Sequence, residues 1–181
     1  GGVDVFGLFS GQVLSLTGSE VSISGPGSGT LAVAGLDASA SSEILISGVA
    51  GFGQAGASLR FETAQAVHLV DSTAGAGDFD LDRALIDGSA FADLSVSSTG
   101  GTLSFVATSS DPSFSGVDLS LSGRSTVVTL AGGVLIEPAR TALAATDPSG
   151  SIAMTFGAGA VLGNGGVLEF DVGGNARLGD G

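Results

Sequence analysis

GQVLSLTGSEVSIS, residues 11–24, decides the fold. Leu14 and Leu16 alternate with Ser15 and Thr17, and after Gly18 and Ser19 the alternation resumes with Val21 and Ile23 against Ser22 and Ser24. A period of two places alternate side chains on opposite faces of an extended chain, so this stretch predicts two short strands joined by a tight turn, each with one dry face. The polar partners are small, as they must be where strands crowd together.

The same texture returns outward along the chain in LAVA (residues 31–34), ILIS (44–47), ASLRF (57–61), VHLV (67–70), FDLD (79–82), LSVS (94–97), TLSF (102–105), VDLSLS (117–122), VVTL (127–130), IAMTF (152–156) and VLEFDV (167–172). Gly, Ser, Asp and Asn fill the junctions, which is turn chemistry. The runs start about 8 to 14 residues apart, a spacing of many short strands rather than of strands alternating with helices. One stretch departs from it: PARTALAAT, Pro138 to Thr146, where Pro can open a helix and Asp147-Pro148 would close it, predicts a short helix or loop excursion near 138–146.

Internal echoes support repetition. GQVLSLTG (11–18) is similar to GVDLSLSG (116–123), GGVLIE (132–137) to GGVLEF (165–170), and Asp-Pro-Ser occurs at Asp111 and Asp147. Degenerate echoes suit a solenoid, whose coils must each supply inward apolar residues and tight corners without repeating them identically. The expectation is an all-β parallel β-helix (β-solenoid) forming a single segment over residues 1–181. At about 20 residues per coil it makes about nine short coils, a rod about 40 Å long. A β-sandwich is the alternative, since it also uses short alternating strands.

Composition narrows the function. The chain has 181 residues, 43% hydrophobic, with 32 Gly, no Cys, no Trp, no Tyr and a single His. That apolar share is too high for a disordered chain. All five basic residues are Arg, against 18 acidic ones, and the net charge of −13 argues against nucleic acid and anionic lipid as partners. No apolar run reaches the roughly 18 residues of a membrane helix, so no membrane insertion is expected. GGVDVFG at the start and GGNARLGDG at the end both lie in mid-pattern, and the expectation is a fragment of a longer chain or a processed product.

DSTAGAGDFDLDRALIDGSAFADLSVSSTGGTLSF, residues 71–105, combines Gly-Asp, a short alternating strand, a small-residue turn, Leu-Ser-Val-Ser and Thr-Gly-Gly. In this it resembles the repeat regions of large bacterial secreted exoproteins of the filamentous-haemagglutinin and β-strand-repeat adhesin type. The resemblance covers most of the chain as texture. It implies a right-handed parallel β-helix, secretion by a two-partner or type I route, a bacterial extracellular or cell-surface location, and a role as stalk, adhesin or matrix component. It supplies no catalytic residues.

Three motifs bear on chemistry. Gly51-Phe52-Gly53-Gln54-Ala55-Gly56 matches G-x-G-x-x-G, but ASLRFE follows with strand alternation where a dinucleotide site needs a helix. Asp78, Asp80 and Asp82 in DFDLD project from one face of a strand and form the one candidate metal site, for Ca²⁺, which takes several oxygen ligands. The competing reading is a solvated outward face. Arg83, beside Asp82, is the only nearby basic candidate for a β-helical polysaccharide-degrading enzyme, with Asp80 and Arg83 the residues whose replacement would test it. His68, in AVHLV, is expected to face outward, and the Phe residues, Phe52, Phe61, Phe79, Phe105, Phe156 and Phe170 among them, to stack in the core.

The expected function is therefore a non-catalytic structural segment (stalk, filament or adhesin repeat region) with no cofactor unless calcium. Its expected partners are copies of itself, neighbouring repeats of the same chain, or a surface or matrix polysaccharide. A calcium-dependent adhesin module and the polysaccharide-degrading enzyme are the alternatives.

Overall fold

The computed structural model describes residues 1–6, 11–70, 79–82, 91–110, 112–163 and 165–180, with backbone alone at 26–29, 50, 52, 70, 79–82, 113 and 178–180. In chain order the strands are β1 (Val3–Phe6), β2 (Val13–Leu31), β3 (Gly35–Phe52), β4 (Ala57–Thr63), β5 (Val67–Val70), β6 (Phe79–Asp82), β7 (Phe91–Ser98), β8 (Thr102–Ala107), β9 (Asp118–Gly123), β10 (Ser125–Leu130), β11 (Leu135–Ile136), β12 (Arg140–Ala145), β13 (Ser151–Phe156), β14 (Val161–Leu162), β15 (Val167–Val172) and β16 (Asn175–Asp180). The described helical structure is a single 3₁₀ turn at Pro112–Phe114.

Alternation commits each strand to one dry face, and stacking the strands of successive coils in parallel supplies it. Among the described residues, one parallel sheet has the order β1-β2-β3-β4-β7-β9-β12-β15, a second β16-β13-β10-β8-β5-β6, and a short third face pairs β11 with β14. Every pair is parallel, which fits a β-solenoid and rules out the antiparallel β-sandwich. In the first sheet, register carries one column through Leu14, Leu36, Leu59, Leu94, Leu119, Thr141 and Leu168. Two residues along, a parallel column runs through Leu16, Ala38, Phe61, Val96, Leu121, Leu143 and Phe170. The second sheet answers with Leu69, Phe105, Val128 and Met154, all buried. Between the sheets, Phe114 stands edge-on to both Phe91 and Phe105, at 6.1 and 6.0 Å.

The column spacings give coils of 22, 23, 35, 25, 22 and 27 residues, hence about six turns rather than nine. Coils here carry a third face and wide corners, which the 20-residue estimate omits. The 35-residue coil holds an extra strand: β6 pairs with β5 on the edge facing away from β8, out of chain order.

The expected excursion at 138–146 is corrected. Arg140–Ala145 is β12, alternately exposed and buried, paired with β9 on one edge and β15 on the other. An isolated nine-residue helix is marginal in water, whereas here each neighbouring coil provides a ready hydrogen-bond ladder. The Phe expectation needs a smaller correction. Phe61 and Phe105 are fully buried, and Phe156 packs at the margin of the core, but Phe170 is 40% exposed because no described coil lies beyond β15. The Phe52 and Phe79 side chains lie outside the described residues.

Corners are held by hydroxyls. Ser98 Oγ donates to the Gln65 carbonyl at 2.5 Å and accepts from the Gly101 amide at 3.0 Å, and Thr99 Oγ1 donates to the Thr63 carbonyl at 3.3 Å. One coil-pair further on, Thr146 Oγ1 donates to the Gly123 carbonyl at 3.1 Å. Successive corners approach so closely that a Cβ on Gly150 would run into the Arg124 carbonyl of the preceding coil.

Candidate functional surface

The polar half of the alternation builds the outer face of the first sheet. Its middle is a shallow array of small side chains, Ser95, Ser97, Ser120, Ser122, Ala142 and Ala144, on three successive strands. Charged residues border it. Arg60 on β4 reaches Asp37 on β3 at 3.6 Å and Glu62 on its own strand at 2.6 Å. On the other side Arg140 on β12 bonds Glu169 on β15 at 2.5 Å.

At the corner between the two large sheets, Arg124 grips Asp147 through Nε at 3.1 Å and through a second, shorter contact from its terminal nitrogen. Asp147 also accepts from the Ser149 amide at 2.8 Å and the Ser149 hydroxyl at 2.6 Å.

Arg60, Arg124 and Arg140 each join neighbouring coils, so cations that are scarce in the sequence act as staples along the axis. Exposed ion pairs are individually weak, on the order of 0–1 kcal/mol. Their placement nonetheless relieves stacked acids: Asp93 and Asp118 are register neighbours on adjacent strands, and the next residue in that column is Arg140.

The shifts at Asp147 and Glu169 run away from those of a general acid. The Ser149 hydroxyl first, then Arg124 and the Ser149 amide, hold the Asp147 carboxyl well below the usual carboxylate range. Arg140, by hydrogen bond and then by charge, lowers Glu169 and is itself raised by it. A general acid near neutral pH needs the opposite shift.

Of the predicted calcium ligands, Asp78 lies outside the described residues, and so do the side chains of Asp80 and Asp82. The backbone of β6 places Asp80 beside His68 and Asp82 beside Val70. Arg83, the basic candidate beside Asp82, is also outside the described residues. Among the described residues no group of three His, Cys, Asp or Glu is gathered for a metal ion. His68 is half-buried between the fully buried Val67 and Leu69, as its alternation requires. After Gly51–Gly56 comes β4, a strand, so the G-x-G-x-x-G match has no helix N-terminus to offer a pyrophosphate.

Sequence reading missed the coil-to-coil arginine pairs. Their signal was present: Arg124 and Asp147 are 23 residues apart and Arg140 and Glu169 are 29, each close to one coil, but the assumed coil length was too short to align them. No helix among the described residues is long and apolar enough to cross a membrane. No family model, no curated protein and no solved structure matches the chain.

Proposed function

We propose that this chain is a non-catalytic structural segment, a rigid acidic spacer of a bacterial cell-surface or extracellular matrix protein. The observation that carries the reading is the unbroken stacking of leucine-rich columns from β2 to β15, reinforced on the outside by arginine staples between coils. Such a stack resists bending, because each coil contacts its neighbours over its whole cross-section. The lowered Asp147 and Glu169, held as carboxylates by arginine and serine donors, and the small side chains of the outer face support it further.

The test is a pair of measurements on the purified chain. Small-angle scattering is expected to give a compact, rigid particle, since about six turns at about 4.8 Å each span only about 30 Å, and incubation with acidic and neutral polysaccharides is expected to release no reducing ends and no unsaturated products. Turnover of any of these substrates, or a flexible particle, would overturn the reading.

A further inference from the structure

β6 leaves chain order to join the second sheet, and its register decides what it brings there. It pairs with β5 in parallel, setting Phe79 beside Val67, Asp80 beside His68, Leu81 beside Leu69 and Asp82 beside Val70. Register neighbours in such a pair share a face, and alternate residues along a strand share it too. His68 is half-buried between the fully buried Val67 and Leu69, so its row is the outer one, and Asp80 and Asp82 belong to the same face.

The neighbours in that row are otherwise uncharged. Ser104 on β8 stands beside His68 on its other edge, and Val127 on β10 follows. Elsewhere on the molecule acids are answered by arginines, Arg60, Arg124 and Arg140, which join adjacent coils. β5 and β8 contain no arginine, and the group that register sets against Asp80 is an imidazole, the only one in the chain.

We propose that His68, Asp80 and Asp82, brought together by the β5–β6 pairing, form a binding site for a divalent cation of the Zn²⁺ type. The site goes beyond the structural role and does not depend on it. Adjacent strands lie about 4.8 Å apart and alternate residues along a strand about 6.6 Å apart, so the three positions form one patch over which a single ion can take a ligand from each. The ligand set selects the ion. Ca²⁺ takes about six to eight oxygen ligands, whereas an imidazole joined by carboxylates suits Zn²⁺ and its transition-metal neighbours. Zn²⁺ is commonly four-coordinate, so three protein ligands leave one position for water. Ser104, on the far edge of His68, offers a hydroxyl to accept the second ring N–H of a metal-bound imidazole. This set differs from a row of three aspartates on one strand, because one ligand is a nitrogen and comes from a second strand.

The ion has a mechanical consequence. β6 is four residues long and, among the described residues, pairs with β5 alone. A cation shared between the two strands ties the extra strand to the stack, so docking of β6 and metal binding support each other.

Calorimetric titration of the chelator-treated chain with ZnCl₂ tests this, with MgCl₂ and CaCl₂ at equal ionic strength alongside. One Zn²⁺ is expected to bind per chain. At a free concentration about a hundredfold above its Kd it is expected to raise the folded-to-unfolded ratio about a hundredfold, read as a higher melting temperature. His68→Gln and Asp80→Asn are each expected to weaken Zn²⁺ binding by about tenfold or more, at least the loss that follows removal of a group that merely orients a metal ligand. In the unaltered chain the ring signals of His68 are the only histidine signals in an NMR spectrum, and Zn²⁺ is expected to shift them, a readout that needs no variant. The proposal is overturned if those signals stay in place, if His68→Gln binds Zn²⁺ as tightly, if Zn²⁺ stabilises no more than Mg²⁺, or if Ca²⁺ acts as strongly as Zn²⁺. Each of these results leaves the non-catalytic structural reading standing, because that reading rests on the stacked columns and the arginine staples rather than on β6.

Discussion

Thr141 stands where every other member of its column is leucine, and its cost is readable atom by atom. It is 2% exposed, and among the described residues its Oγ1 is the buried side-chain oxygen without a hydrogen-bond partner. A buried hydroxyl left unpaired costs about 1–3 kcal/mol, so Thr141→Val is expected to stabilise the chain by about 1 kcal/mol in urea unfolding. A loss of stability would mean that the hydroxyl is satisfied after all. Asp147 presents the converse case, a carboxylate held by four donors. Its native pKa is depressed below its unfolded value. The stabilisation is therefore full above the ordinary carboxylate range and disappears as pH falls through the depressed native value. Asp147→Asn is expected to melt below the unaltered chain at neutral pH, with the gap closing in strong acid. A gap independent of pH would remove the charge from the explanation.

At the scale of the element, β12 illustrates how tertiary surroundings override local preference. TALAAT contains three alanines and reads as helix when taken alone, yet Leu143 is buried between Leu121 and Phe170 in the second column. Leu143→Ala is expected to cost about 2–5 kcal/mol by removing core volume. Ala142→Val, on the outward face, is expected to be neutral or slightly stabilising in thermal melts, because β-branched side chains favour a pleated surface and disfavour a helix. A marked loss at Ala142 would argue for helix after all. Most other strands were legible from their alternation, but the turn expected at Gly18-Ser19 is a register shift inside the continuous β2, and of the run LAVA only Leu31 belongs to a strand. The out-of-order position of β6 was not legible. FDLD looks like any other run, and nothing local states which edge of β5 it joins.

For the whole molecule, the dominant electrostatic fact is the net charge of −13 on a small chain. Self-repulsion of this kind destabilises the compact state and is screened within a Debye length of about 10 Å at 0.1 M salt. Raising NaCl from low ionic strength is therefore expected to raise the melting temperature. Ca²⁺ and Mg²⁺ at equal ionic strength separate general screening from a specific site. An equal rise with both cations follows from screening alone, whereas a rise confined to Ca²⁺ and reversed by chelator would identify a calcium site, with Asp78, Asp80 and Asp82 the residues to replace.

The amino-acid sequence by itself determined an all-β fold of short strands, because period-two alternation with small polar partners and glycine-rich junctions gives each strand one dry face, while the choice of parallel solenoid over β-sandwich was made by the pairing of one coil on the next. It also determined the acidic, arginine-poor surface. Coil length, the strand at 140–145 and the pairing of Arg60, Arg124 and Arg140 with acids one coil away were decided by tertiary structure alone. Each depends on where one coil comes to rest on the next, and that register is set by the summed fit of whole columns rather than by any local run of residues.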